Sequence, residues 1–356
     1  MKILITGICG FVGNALARAL LESMEGLTVT GIDNLIRPGS ETNRQRLKKS
    51  GVRVLHGDLR MASDLSVLSP VDWVIDAAAH PSVLAGIDGS VSSRQLFEHN
   101  LIGMLQLLEY LKAARAGLLL LSTSRVYSIP ALAAIPLKLC GEAFHLDTTA
   151  PLAEGLSEHG IGPAFSTEPP ISLYGSTKLA SEVVALEYGA AFGFPVWITR
   201  CGVLAGAGQF GTADQGIFTY WINAHLRRRK LRFIGFGGLG HQVRDAFHPA
   251  DLAGLLRCQM ECGRAGGPRI YTAGGGPENA LSLAGLTRWC DDRFGAHRPH
   301  PDANPRPFDI PWMIMDNRLA ERDFGWRPAR TIEAICEEIA VHAEGNPEWL
   351  ELSSSI

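Results

Sequence analysis

The stretch Lys2-Ile3-Leu4-Ile5-Thr6-Gly7-Ile8-Cys9-Gly10-Phe11-Val12-Gly13 decides the fold. Its opening residues form a short apolar run of the kind buried on both faces in a parallel sheet. After the glycines, Asn14 to Glu22 has helical periodicity, with Leu16, Ala19 and Leu20 on one side. Strand, glycine turn and helix in this order is the context in which a glycine fingerprint holds a dinucleotide. Gly7 permits the tight turn, Gly10 lets a pyrophosphate approach the backbone, and Gly13 lets the helix pack closely on the strand. The helix N-terminus offers amide hydrogens and a partial positive charge to the phosphates.

Working outward, short apolar strands alternate with helical segments, the pattern of a doubly wound parallel sheet. Residues 27–32 are the second strand, ending at Asp33; 52–56 the third, followed by Gly57-Asp58-Leu59; and 71–76 the fourth, leading into Ala77-Ala78-Ala79-His80. A long helix is predicted over 94–114 and a fifth strand over 118–121. Ligands of such sheets sit at the carboxyl ends of the strands, here Thr6, Asp33, Asp58, Ala78 and Ser122. Asp33 stands about twenty residues beyond the glycine loop, where a carboxylate accepts from the adenosine ribose hydroxyls and repels a 2′-phosphate. NAD is therefore favoured over NADP, with Arg37 close behind as the one feature against. Asp58 is placed to accept from the adenine amino group; a plain turn aspartate is its alternative.

Composition agrees with a dinucleotide-binding α/β protein. The chain has 356 residues, 46% of them hydrophobic, enough for one large α/β unit with a smaller lobe. A net charge of −3 makes no electrostatic case for nucleic acid or an anionic membrane. Arg227-Arg228-Arg229-Lys230 reads as the solvated end of a helix, with phosphate contact as the other reading. The seven cysteines follow no disulfide framework, and Cys258 and Cys262 lack a second ligand pair, so no metal site is expected. The chain opens on a strand and contains no apolar run of membrane-spanning length, so a soluble cytoplasmic protein is expected.

Between residues 128 and 172 the pattern loosens, and a connection this long is usually functional or mobile. Leu173-Tyr174-Gly175-Ser176-Thr177-Lys178 then opens a strong helix, with Leu179, Val183, Leu186 and Tyr188 as its candidate apolar positions. Residues 195–199 are a sixth strand. Further on come a glycine-rich loop at 202–211, a helix at 215–226, a short strand at 231–234, a helix at 249–262 and a last helix at 331–343. Residues 1–199, completed by roughly 240–275, are read as the dinucleotide domain, and 200–239 with 276–350 as a substrate lobe.

Tyr174 and Lys178 stand four apart, one turn on a shared helix face. A nearby ammonium stabilises phenolate, and a cationic nicotinamide adds to the effect. Bringing a tyrosine from a pKa of about 10 to neutrality takes roughly 4 kcal/mol of such stabilisation. The tyrosinate can then take a hydroxyl proton while hydride leaves the same carbon. The spacing alone is common on protein surfaces. It gains weight from Ser122-Thr123-Ser124 at the end of the preceding strand, where a hydroxyl can share the substrate oxygen.

Taken together these residues resemble the extended short-chain dehydrogenase/reductase family, in particular its nucleotide-sugar epimerases and dehydratases. Thr6-Gly-x-x-Gly10-Phe11-Val12-Gly13 is similar to its glycine motif, and Asp33-Asn34-Leu35, Gly57-Asp58-Leu59 and Ala78-Ala79 to its cofactor contacts. Asn100 to Glu109 resembles its central helix and Tyr174-x-x-x-Lys178 its catalytic pair. The likeness runs on through Arg244-Asp245, His248-x-x-Asp251, Arg306-x-x-Asp309 and Phe324-Gly325-Trp326-x-Pro328. It implies an α/β, Rossmann-like doubly wound parallel sheet with a smaller mixed α/β C-terminal substrate lobe. It also implies a tightly held NAD, a nucleotide-diphosphate sugar as substrate, transient oxidation of that sugar, and a homodimer.

Thr123 falls where the family's catalytic Ser or Thr stands. The 4,6-dehydratases place an acidic pair at the next two positions; here stand Ser124 and Arg125, neither a carboxylic acid nor its base. A small polar residue followed by a cation instead resembles the CDP-tyvelose (CDP-paratose) 2-epimerase group, as do the loop 208–216 and the Gln-Val-Arg-Asp stretch 242–245. The resemblance implies Thr123, Tyr174 and Lys178 as the catalytic residues, and Ser124 and Arg125 at the sugar. Arg244 and Arg306 are read as a clamp on the diphosphate, with Asp245 and Asp309 as their alternative salt-bridge partners. Gln209, Asp214 and Gln215 are candidates for sugar or base contacts, Asp214 also for a helix cap. His80 and Ser82 follow the fourth strand toward the sugar; a structural histidine is the alternative for His80. A dehydratase or a net reductase using the same oxidation step is the alternative enzyme reading.

Overall fold

The computed structural model describes residues 1–354 apart from 88, 90 and 263–266. A seven-stranded parallel sheet carries the first half of the chain: β1 Lys2–Thr6, β2 Thr28–Asp33, β3 Arg53–His56, β4 Trp73–Asp76, β5 Gly117–Thr123, β6 Val196–Cys201 and β7 Ile270–Ala273. The spatial order is β7-β6-β5-β4-β1-β2-β3. The order therefore reverses between β1 and β4, whose final residues, Thr6 and Asp76, are paired in register. That switch point is where doubly wound sheets open a ligand crevice.

Helix α1, Phe11–Ser23, follows β1 and buries Gly13, Leu16, Ala17 and Leu20. Ala17 takes the inner place that the periodicity gives to Ala19. One face of the sheet closes over Leu4, Ile32, Val74, Leu118, Leu120 and Ile198 against Leu107, Leu108 and Leu111 of α2, Gly103–Ala114. Each Leu or Ile fully buried there contributes roughly 1.5–3 kcal/mol.

The single helix predicted over 94–114 is three segments: Ser93–Phe97, a π-helical turn Glu98–Ile102, and α2. The extra residue of the π turn accompanies the tertiary bonds of Asn100, and such turns are frequent at functional sites. Helix α3, Leu173–Phe192, starts behind Ser172, whose side chain accepts from the Gly175 amide. Its inner face is not the apolar stripe that the spacing predicts. Thr177, Lys178, Ser181 and Glu182 are buried while Val183 is exposed, because the inner positions carry tertiary hydrogen bonds instead.

The molecule consists of two compact units, Met1–Val126 with Ser172–Arg200 and Leu252–Tyr271, and Tyr127–Ile171 with Cys201–Asp251 and Thr272–Ile356. Residues 127–171, which the sequence reading places with the dinucleotide domain, thus fold with the second unit. Their backbone bonds explain it: Phe144 N donates to His241 O and Ile161 N to Ile314 O. The stretch also has structure of its own, a helix Ile129–Ala133 and two small hairpins. The second unit's core gathers Phe218, Trp221, Ile222, Leu286, Cys290, Ile335 and Ile339. The basic run at 227–230 is the solvated end of the helix Ile217–Leu226, with Arg228, Arg229 and Lys230 exposed, and two of its guanidiniums also tie down neighbouring carbonyls. Arg227 donates to the carbonyls of Ala343, Asn346 and Pro347, and Arg228 to those of residues 294–296.

Candidate active site

The glycine turn is as crowded as its sequence demands. Gly7 has φ +62°, and a Cβ there would stand 2.9 Å from Ala78 Cα. At Gly13 a Cβ would stand 2.3 Å from the Gly7 carbonyl oxygen. Gly10, the N-cap of α1, is different: a Cβ would meet only Gly7 O, at 3.2 Å, so its outer side is left clear. Among the described residues no side chain caps α1 and its first turn carries no acid, which suits its N-terminal amides to a phosphate. The turn therefore fits the pyrophosphate of a dinucleotide.

At the end of β2, Asp33 is anchored by two amides, Cys9 N to Oδ2 and Leu35 N to Oδ1, each 2.8 Å. Burial pushes its carboxyl above the usual range, opposed by these amides. The Cys9 bond ties the Asp33 carboxylate to the glycine turn itself. Asp58 is gripped by both arms of Arg60 at 3.0 and 2.7 Å and takes Asn34 Nδ2 at 3.2 Å. The Arg60 bonds hold its carboxyl far below the usual range. These bonds link Asp58, after β3, to Asn34, after β2, and Leu59 packs close to Gly103.

Beyond β4 the chain is held by Asn100. Its Oδ1 accepts His80 N at 2.8 Å, and its Nδ2 donates to His80 O at 3.2 Å and to Thr177 Oγ1 at 3.1 Å. Asn100 thereby joins the Ala78-Ala79-His80 loop to α3. The Ser82 hydroxyl accepts Leu84 N, forming a local turn.

Helix α3 brings Tyr174 and Lys178 to the sheet's carboxyl end, both buried. A glycine makes this approach possible. A Cβ at Gly175 would stand 2.3 Å from the Arg125 carbonyl oxygen, so the first turn of α3 lies directly on the turn Ser124–Val126 that follows Thr123. The Thr123 hydroxyl accepts Arg125 N at 3.2 Å and keeps its proton to donate. Ser124 is buried and Arg125 half-buried. Lys178 Nζ lies 4.0 Å from Asp76 Oδ2. Burial pushes the Asp76 carboxyl up, and the Lys178 charge pulls it back.

Two features escaped the sequence reading. One is Asp76, visible there only as a carboxylate ending an apolar strand. The other is Glu182, one turn beyond Lys178, buried with Arg200 and Ser122.

In the second unit, the residues read as substrate contacts have partners within the protein. Arg244 donates to Asp309 Oδ1 at 3.2 Å and to Ile310 O at 2.8 Å; burial lowers its pKa. Arg306 pairs with Asp214, not with either expected aspartate, and donates to Ala213 O. Asp245 instead lies buried, accepting the Gly276 and Met315 amides. The Gln209 side chain donates to Leu204 O at 2.7 Å and accepts from Thr219 at 2.9 Å, so it braces its own loop. Gln215 closes a small backbone bridge with Thr212. Among the described residues no group of acids, histidines and cysteines is placed to hold a metal, and no helix is long and apolar enough to cross a membrane.

The comparison with known proteins agrees with this geometry. The sequence profile of the NAD dependent epimerase/dehydratase family matches residues 3–274. The CDP-paratose 2-epimerase of Salmonella typhi is 26% identical over 335 residues, which span 92% of this chain and 95% of that protein. The UDP-glucose 4-epimerase of Corynebacterium glutamicum is 28% identical over 351 residues, spanning 95% and 94%. Among solved structures, the UDP-glucuronic acid 4-epimerase of Bacillus cereus, in complex with UDP-glucuronic acid and NAD, shares the fold with a TM-score of 0.76 at 22% identity, over 97% of this chain and 99% of that one. The chain belongs to the NAD dependent epimerase/dehydratase family.

Proposed function

We propose that the protein is a nucleotide-sugar epimerase that inverts one carbinol of the sugar, C2 of a CDP-hexose, by transient oxidation and re-reduction. Bound NAD supplies the acceptor for hydride and later its donor. Gly7, Gly10, Phe11, Val12, Gly13, Asp33, Asn34, Asp58, Leu59, Ala78 and Ala79 would hold it, with Asn100 fixing the loop beside it.

Tyr174 takes the hydroxyl proton, with the Lys178 ammonium stabilising the phenolate and Thr123 donating to the same oxygen. The proton returns from Tyr174 once the keto-sugar has presented its other face. The observation that carries the reading is the turn after Thr123, where Ser124 and Arg125 pack under α3. Neither can protonate a leaving hydroxyl as a carboxylic acid or abstract the neighbouring proton as a carboxylate, so oxidation there is followed by return rather than by loss of water. The family relationship supports the oxidation step, and the Salmonella relative supports C2 and a cytidine diphosphate. His80, Ser82, Ser124 and Arg125 are assigned to the sugar. Arg244, Arg306, Gln209, Asp214 and Gln215 are assigned to the nucleotide and sugar, directly or by shaping their loops. The reading includes a cytoplasmic homodimer; exposed Val183 and Phe192 on α3 favour a second copy there, and sedimentation tests it.

The deciding experiment incubates the purified protein with CDP-, UDP- and dTDP-hexoses in deuterated water, with NMR readout. Inversion at C2 of a CDP-sugar, without solvent deuterium and without added NAD, is the expected result. Inversion at C4 of a UDP-sugar would move the assignment to the 4-epimerases. Loss of water or stoichiometric consumption of NADH would overturn it.

A further inference from the structure

The pair of residues at the sheet's switch point does more than close two strands. The Thr6 hydroxyl oxygen accepts the amides of Ala77 and Ala78, both at 3.1 Å. Its one proton is thus left to donate, and it points at Asp76 Oδ1, 2.6 Å away. With Oδ1 committed as an acceptor, a proton on Asp76 could sit only on Oδ2, the oxygen facing the Lys178 ammonium at 4.0 Å. A hydroxyl there would stand beside a cation, so the Lys178 charge favours the carboxylate against the burial that raises its pKa. Asp76 and Lys178 are 5% and 4% exposed, which leaves water little room to screen them. A buried ion pair is weak evidence for a stabilising role, which directs attention to what its charge does for its neighbours.

We propose that Asp76 is a positioning residue of the redox site. Its carboxylate anchors the Lys178 ammonium at the end of β4 and offsets part of that ammonium's field, setting the pH at which Tyr174 ionises. The inference rests on Tyr174 being the base of the proposed reaction. The other charges on the surrounding elements are largely matched among themselves. Glu182 on α3 is held by Arg200 of β6, and Asp58 after β3 by Arg60. Asp33 at the end of β2 is anchored by backbone amides. His80 after β4, Glu98 and His99 on the π turn, and Arg125 after β5 are further titratable or charged groups on the neighbouring elements, His99 in ring contact with His80. Among the described residues, the carboxylate paired with Lys178 is that of Asp76.

The test follows phenol ionisation by ultraviolet difference absorbance in the purified protein with the cofactor it retains. Tyr174→Phe subtracts the other five of the six tyrosines. In Asp76→Asn, Tyr174 is expected to titrate about one pH unit lower than in the wild type. The acidic limb of the kcat profile for nucleotide-sugar turnover moves in the same direction. Lys178→Met supplies the reverse test: with Asp76 retained, the phenol rises above its ordinary value of about 10. Adding Asp76→Asn to Lys178→Met returns it toward that value. An Asp76→Asn titration that is unchanged or moves upward overturns the proposal, as does a Lys178→Met phenol that ignores Asp76. Failure to convert any nucleotide sugar would instead sink the proposed activity, and the titration would still decide the role of Asp76.

Discussion

Glu182 and Arg200 form a buried two-pronged ion pair, with Arg200 Nη2 2.8 Å from Oε2 and Nε at 3.1 and 3.2 Å from the two carboxylate oxygens. The Ser122 hydroxyl donates to the same carboxylate. Helix α3 is thereby bolted to β5 and β6 one turn beyond Lys178. Glu182→Gln leaves the guanidinium buried without its counter-charge, a change that costs about 3–5 kcal/mol. Urea unfolding should show a loss of that size. A loss under about 1 kcal/mol, the level of an exposed pair, would mean that Arg200 is satisfied elsewhere.

Gly175 controls how closely the Tyr174 turn meets the strand that ends in Thr123. A methyl at this position would stand 2.3 Å from the Arg125 carbonyl oxygen, and backbone cannot yield as a side chain can. Gly175→Ala should therefore tilt the first turn of α3 away, at a stability cost of about 1–3 kcal/mol. Turnover should fall at least tenfold, since a 1.4 kcal/mol loss of transition-state alignment suffices for that. NAD extracted from the purified variant should be unchanged, because the glycine turn is untouched. Wild-type kcat in this variant would show that the contact is not needed for alignment.

These two contacts show where sequence reading succeeds and where it stops. The glycine turn, Asp33 and the Tyr174–Lys178 pair follow local rules of spacing and strand context, and each was legible as such. Glu182, Asp76 and the π turn at Asn100 were not. Each is defined by a partner 18 to 102 residues away, Arg200 for Glu182 and Lys178 for Asp76. For the same reason the periodicity of α3 misled: Val183 reads as core yet is exposed, while Glu182, outside the predicted apolar positions, is buried. Asp245 and Asp309 are the salt-bridge partners expected for Arg244 and Arg306, while the fold gives Asp309 to Arg244 and Asp214 to Arg306. Helical and strand periods carry information about one element's face, not about which polar side chains a second element will satisfy.

Asp245 should make stability depend on pH. Burial pushes its carboxyl from 3.8 up to about 6, against the pull of the Met315 and Gly276 amides. A carboxyl raised on folding favours the folded state most below pH 3.8, and that contribution is lost as the pH climbs through about 6. At 1.36 kcal/mol per pH unit, the loss is about 3 kcal/mol. Because depressed carboxyls such as Asp316 act in the opposite sense, the measurement compares wild type with Asp245→Asn in urea from pH 4 to 7. The variant should gain about 3 kcal/mol on the wild type across that range. Parallel stability curves would show that Asp245 does not titrate there.

The two arginines of the second unit should separate by experiment. The Arg244 side chain is 13% exposed and bound to Asp309, whereas Arg306 and Asp214 are 30% and 47% exposed. Arg244→Ala strands a largely buried carboxylate and should cost about 3–5 kcal/mol of stability. Arg306→Ala gives up a surface pair worth 0–1 kcal/mol, so its stability should hardly change. If Arg306 meets the diphosphate, its loss should raise KM about tenfold while kcat stays close to wild type, as expected for uniform binding. A KM unchanged by Arg306→Ala would leave the residue as a loop tie alone.

If Asp33 meets the ribose as proposed, its charge sets both the grip on the cofactor and the choice between NADH and NADPH. Its oxygens hold the amides of Cys9 and Leu35, so the carboxylate proposed to meet the ribose also shapes the glycine turn. Asp33→Asn keeps one acceptor oxygen, removes the charge and turns an NH2 group toward one of those amides. NADH affinity, followed by fluorescence titration of the stripped protein, should drop at least tenfold. NADPH affinity should drop less or rise, because the repulsion of a 2′-phosphate disappears with the charge. Since burial raises the Asp33 carboxyl, the wild type should begin to lose NADH on acidification above pH 3.8, a loss that Asp33→Asn does not share. Equal losses for both nucleotides in the variant would assign Asp33 to the turn rather than to the ribose.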